Sequence, residues 1–332
     1  MRKLYFLIPG TAGKFACGGL WAELKTLHLA RQVCPSEVVT YRQREKDTLY
    51  LDDLPLEKLI EDVIFVISWG FDVPKLAKKL KQQHRIYHAH SAKYGFRLPE
   101  DIPIITVSRS TMGYWGQYAP NSLIYYLPNQ ISDEFKNYHG DRDIDVLIQK
   151  RKSSTYLLNQ LIPALENKCR VHLVDSYVED LAALFNRAKI YLYDSSEYWA
   201  LQGVSEGFGL QPLEALACGC QVFSSINDGL SDYLDPGFNC HKIAGYSTDY
   251  DVNCILKALN SDNATQLSPD TLTEYRTENI IARFTKILSE INHFCDRRQT
   301  YPANIPPLTF IRRNQLKTKL LLEKIQKRLF KT

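Results

Sequence analysis

Short runs of β-branched and aromatic residues alternate along this chain with stretches of helical period, and few architectures accommodate that alternation. Strands are expected near 3–8, 37–41, 62–68, 85–89, 103–107 and 122–127, with helices between them, as at 19–33 and 72–82. Such a pattern builds a parallel sheet with helices on both faces. It breaks after Pro128-Asn129 into a polar, turn-rich stretch, 129–143, read as a linker. A second series follows: a strand at 144–148, a helix at 153–166, a strand at 170–174 and a helix at 179–188 with Glu179 and Asp180 in its first turn. A strand at 190–193, a helix at 212–218 and a strand at 221–224 continue it. A long helix near 270–292 carries Ile281, Phe284, Leu288 and Ile291 on one face. With 332 residues the chain exceeds what one hydrophobic core usually organises. The expected fold class is α/β, with two Rossmann-like α/β/α domains facing each other across a cleft. Their expected limits are 1–138 and 139–300, followed by a basic tail at 301–332.

Charge narrows the partners. From Arg312 onward eight Lys and Arg oppose Glu323 alone, a local +7 in a chain of formal charge +4, so the body stands at −3. No basic stripe runs through the folded part, which argues against nucleic acid as a partner. The eight cysteines form no CxxC pair and no zinc-type spacing, so free thiols in a reducing cytoplasm are expected. The opening MRKLYFLIPG has too short an apolar run for a signal peptide and reads as a buried first strand. No stretch approaches the ~18 apolar residues that span a bilayer.

The segment EGFGLQPLEALACG, 206–219, concentrates the chemistry. Pro212 suits a first helical position, and Leu213, Leu216 and Ala217 then form a short apolar face. That places Glu214 in the first helical turn and Glu206 outside the helix, across a bend that Gly207 and Gly209 permit. The two carboxylates flank a helix start of the kind that holds anions. Three other patterns fail. PGTAGK (9–14) lacks the spacing and the Ser/Thr of a P-loop, GFGLQP (207–212) ends a GxGxxG with proline, and DRDID (141–145) lies in the linker.

The run IYLYDSSEY…SEGFGLQPLEALACGCQVFSS closely resembles the donor-site signature of retaining GT-B glycosyltransferases of family GT4, EGFGL…EA(L/M)A.G.PV. Its glutamates match that family's E-x7-E motif. The resemblance implies a GT-B fold with an acceptor-side first domain and a nucleotide-sugar-binding second domain. By the same resemblance Glu206 contacts hydroxyls of the donor sugar, Glu214 holds the ribose, and the backbone of Phe208, Gly209 and Leu210 faces sugar and diphosphate. Gly18 and Gly19 resemble the family's glycine-rich loop; a tight turn before a helix is the alternative. IYHAHS (86–91) resembles its histidine-bearing loop, which implies that His90 binds near the donor sugar; a packed structural histidine is the alternative. QKRKSS (149–154) stands where the family has an Arg and a Lys for the diphosphate. Lys152 matches the lysine, and Lys150 or Arg151 supplies the second cation. Cations there stabilise the departing diphosphate without a metal.

Two departures accompany the match. QKRKSS is shorter than the family's loop and lacks its glycine, and EYWALQGV (197–204) lengthens the approach to Glu206. There Tyr198 and Trp199 stack on a ligand or pack on the neighbouring domain. The resemblance implies a retaining transferase moving a sugar from a nucleoside diphosphate (NDP) sugar to a hydroxyl of a glycan or lipid-linked acceptor, with no metal cofactor. The alternative is a non-catalytic GT-B scaffold that binds nucleotide or a partner protein. In the tail, Leu320–Leu322, Ile325, Leu329 and Phe330 lie among basic residues but do not read as one face. The tail is expected either to cross back as a helix onto the first domain or to make peripheral contact with the inner face of a membrane.

Overall fold

The computed structural model describes residues 1–261, 269–298 and 300–329. In the first half, β1 (Lys3–Ile8), β2 (Ser36–Thr40), β3 (Leu49–Tyr50), β4 (Val63–Ile67), β5 (His84–Ala89), β6 (Ile104–Thr106) and β7 (Ile124–Tyr126) pair in parallel in the order β3-β2-β1-β4-β5-β6-β7. Helices α1 (Gly18–Ala30), α2 (Val73–Lys79) and α3 (Arg109–Tyr118) lie in its crossovers. Every residue of β4, VIFVI, is buried, as a central strand covered on both faces requires. Two-residue β3 was not expected, because so short a strand has no period to read.

The second half repeats the plan on a smaller scale. β8 (Ile144–Gln149), β9 (Val171–Val174), β10 (Ala188–Tyr193), β11 (Gln221–Ser224) and β12 (His241–Lys242) form a parallel sheet ordered β12-β11-β10-β8-β9. Around it run α4 (Ile162–Glu166), α5 (Leu181–Arg187), α6 (Ser196–Gln202), α7 (Leu210–Ala217), α8 (Thr248–Leu259) and α9 (Pro269–Thr273). Two further helices follow, α10 (Thr277–Arg297) and α11 (Phe310–Leu329). In each sheet the strand order turns beside the first strand. Ligands of doubly wound folds bind at such a turn, outside the carboxyl ends of the strands.

The linker is anchored: Ile131 and Phe135 are buried in the core of the second half, and the Ile131 N–H donates to the Tyr275 carbonyl at 2.9 Å. Three expectations are revised. Asp180 caps α5 from outside, accepting the Ala183 N–H at 2.8 Å, so the first turn holds no acid. The long helix begins at Thr277, and it packs on the first half: Ile280, Phe284, Ile287, Leu288 and Ile291 meet Leu4, Phe6 and Leu27. It is thus α10 that crosses back, because it presents a continuous apolar stripe. The tail helix α11 buries no residue. Phe330 lies outside the described residues.

Candidate active site

The carboxyl edges of the two sheets meet. Ser91 and Ala92, after β5, bond Ser205, after β10: the Ser91 hydroxyl donates to the Ser205 carbonyl, and the Ala92 N–H to the Ser205 hydroxyl at 2.8 Å. Lys93 pairs with Asp228 at 2.8 Å, and the Arg109 and Ser110 N–H groups at the start of α3 donate to Asp232. Between these contacts runs the strip 205–209. A Cβ on Gly207 would lie 1.5 Å from the His90 carbonyl oxygen, so only glycine fits. Gly209 is left-handed (φ +76°) and caps α7.

That cap starts α7 at Leu210, two residues before the expected Pro212, which shifts Glu214 out of the first turn. Its charge is therefore not a response to the helix dipole, which acts within the first turn. Glu214 is 5% exposed, and no donor among the described residues hydrogen-bonds its carboxylate. Burial pushes its carboxyl up to about 7; Lys25 of α1 pulls it down and Glu134 raises it further. Lys25 belongs to the first half, so the seam runs within electrostatic reach of Glu214.

Glu206 has the opposite environment. Its Oε2 accepts from the Tyr193 hydroxyl and the Trp199 indole N–H, both at 2.6 Å, while Oε1 lies 3.5 Å from Lys152 Nζ. Its N–H donates to Asp228 Oδ2 at 3.2 Å, and its carbonyl accepts from Gly229. Trp199 comes from the lengthened segment, which forms α6. Lys152 sits 4.5 Å from the Trp199 ring centre and adopts a left-handed φ of 66°. Of the three candidate cations, only Lys152 reaches Glu206. The side chains of Lys150 and Arg151 are exposed and make no hydrogen bond or ion pair among the described residues.

On the first half, His90 follows β5, and its Nε2 lies 2.7 Å from Glu23 Oε2; His88 Nδ1 reaches the same oxygen at 2.6 Å. Burial lowers the His90 basicity first, with His88 adding to it and Glu23 opposing. The two imidazoles pull the Glu23 carboxyl well below the usual range, against its own burial. These three side chains have donor atoms close enough to ligate a metal ion, although the short N···O separations are those of hydrogen bonds. Gly18 and Gly19 form the first turn of α1, whose leading N–H groups have no intrahelical acceptor. A Cβ would meet open space at Gly18 and only Cys17 Sγ, 3.9 Å away, at Gly19, so packing does not demand glycine at either. Phe208 is buried, its ring packed against Tyr233 and Tyr275. Leu210 lines a pocket with Ala22, Lys25, Thr26, Asn129 and Gln130 from the first half.

Glu23, Lys25, Tyr193 and Asp228 escaped sequence reasoning. Glu23 left one trace, a charge on the otherwise apolar stripe Leu20, Leu27 and Ala30 of α1. The discarded motifs are occupied by protein: Glu45 accepts from Thr11 in the P-loop-like turn, while Asp143 and Asp145 pair with Arg187, Arg170 and Lys189. All eight cysteines are free thiols.

Residues 143–266 match the family model described as glycosyl transferases group 1. Over 263 residues the chain is 26% identical to a probable sucrose-phosphate synthase of Thermosipho melanesiensis, covering 77% of this chain and 55% of that protein. The chain thus spans about half the length of the curated relative it matches. Sucrose-phosphate synthase from Thermosynechococcus elongatus superposes with a TM-score of 0.60 at 14% identity, over 88% of this chain and 99% of that one. Anabaena HepE, crystallised with UDP and glucose, does so with 0.61 at 15%, over 87% and 100%. A glycosyltransferase from Rickettsia africae gives 0.62 at 12%, over 87% and 98%. At these identities the solved structures establish the fold.

Proposed function

We infer, from a GT-B frame whose residues 143–266 are a group 1 glycosyltransferase domain, that this protein moves a sugar from an NDP-sugar to an acceptor hydroxyl with retention of configuration. The observation that carries the reading is Glu214, a buried carboxylate without a protein donor at the seam between the halves. A carboxylate accepts two O–H groups at once, and a vicinal diol such as a ribose supplies them. Support comes also from HepE, which was solved with UDP-glucose.

In this reading the nucleotide lies against α7, its ribose on Glu214 and its diphosphate over the backbone of Phe208, Gly209 and Leu210. Lys152 neutralises charge that grows on the leaving diphosphate, and Lys150 or Arg151 turns inward to join it. Glu206 offers Oε1 to a sugar hydroxyl, because its other oxygen is taken. His90 approaches the sugar from the first half, and the N-terminus of α1 at Gly18-Gly19 leaves room for the acceptor. The donor phosphate then helps to deprotonate the acceptor on the face from which the nucleotide departs. The acceptor is a glycan or a lipid-linked hydroxyl.

A second reading, a scaffold that binds nucleotide without turnover, draws on Trp199, whose indole already occupies Glu206. Two measurements separate them. Purified protein is assayed for NDP release from a panel of NDP-sugars with candidate acceptors, and for NDP affinity by calorimetry. Glu206→Gln should lower turnover by about 10²-fold or more with little change in NDP affinity. Glu214→Gln should weaken NDP binding by roughly tenfold, the cost of one charge-assisted contact. Nucleotide binding with no turnover on any sugar would favour the scaffold, and unchanged affinity in Glu214→Gln would remove the ribose assignment.

A further inference from the structure

The helix α11 holds Arg312, Arg313, Lys317, Lys319, Lys324, Lys327 and Arg328 against Glu323 alone, and none of its side chains is buried. With its limits known, its apolar residues fall into order. At 100° per residue, Phe310, Ile311, Leu321, Leu322 and Ile325 lie within an arc of about 120°. Leu321 is 58% and Phe310 68% exposed. Most of the basic residues occupy the rest of the circumference, which Leu316 and Leu320 interrupt. Six of the seven cations lie outside an uncovered stripe that is mainly apolar and also carries Asn314, Thr318 and Arg328.

That combination selects among occupants. A second copy of the helix would bury the stripe but bring two strongly positive rods side by side. Nucleic acid would meet the cations and leave the stripe in water. An anionic bilayer surface satisfies both: the stripe enters the acyl boundary and the cations meet the headgroups. The helix cannot cross the bilayer, since no helix of the described residues is long and apolar enough. We propose that α11 is a membrane-docking helix that lies flat, for about 30 Å, in the surface of an anionic bilayer. This stands independently of the transferase reading.

The test uses the full chain in co-sedimentation with vesicles of phosphatidylcholine alone and of phosphatidylcholine with about 30% phosphatidylglycerol. Binding should be roughly tenfold stronger to the anionic vesicles and fall to the neutral level in about 0.5 M salt. The double variant Leu321→Ser/Ile325→Ser should bind anionic vesicles about tenfold more weakly with an unchanged thermal midpoint, since neither side chain is buried. Lys317→Gln/Lys324→Gln should lose several-fold. Equal binding to both vesicle types, or full binding by the apolar variant, overturns the proposal. So does a dimer in sedimentation velocity that Leu321→Ser/Ile325→Ser dissolves, or retention by RNA in preference to vesicles.

Discussion

Glu206 and Glu214 lie eight positions apart in one motif, yet the protein treats them oppositely. Tyr193 and Trp199 donate to Glu206, whereas Glu214 is buried with no donor among the described residues. The raised carboxyl has a definite sign in linkage. Between its ordinary value of 4.5 and about 7 the folded protein holds a proton that the unfolded chain has lost. The stabilisation is complete below 4.5 and is lost as pH rises through 7, above which the unliganded fold bears roughly 3 kcal/mol. An NDP-sugar, whose phosphates do not titrate in this range, should therefore bind more tightly as pH rises from about 6 to 8. Glu214→Gln should flatten that profile; calorimetry across the range decides, and a slope retained in the variant places the titration elsewhere.

At the level of elements, the seam depends on a close approach rather than on many contacts. The turns after β5 and α6 deliver 90–92 and 205–207 to one another, and the His90 carbonyl lies where a Gly207 side chain would begin. Gly207→Ala must displace one backbone from the other, since neither partner is a flexible side chain. The expected cost is about 1–3 kcal/mol or more, with a larger radius of gyration in solution scattering as the halves part. Wild-type scattering and melting would mean that the approach is not the resting state. Sequence reading recovered the main strands of both sheets because buried parallel strands are continuous apolar runs. It missed α6 and α8, and it started α7 at Pro212, because proline's fitness for an early helical position says nothing of where the preceding chain enters.

Across the whole molecule, α10 is the tie. It leaves the second half after Tyr275, which packs on Phe208 and Tyr233, and buries Phe284 and Leu288 against α1 and β1. Arg2 bonds Asn292 and Asp296 near its end. Phe284→Ala should cost about 3–5 kcal/mol, and because one core loses its clamp, calorimetry should show the halves melting in two steps. A single transition within a degree of wild type would contradict the clamp.

The amino-acid sequence by itself determined the α/β class, the doubling of the plan and the identity of the two glutamates. These are written in local period and in one contiguous motif. The tertiary structure decided what each glutamate experiences, which cation reaches the motif, that Glu23 stands behind His90 and that α10 returns. Those outcomes depend on groups brought together from distant parts of the chain, and burial and hydrogen bonding are set by that assembly rather than by local sequence.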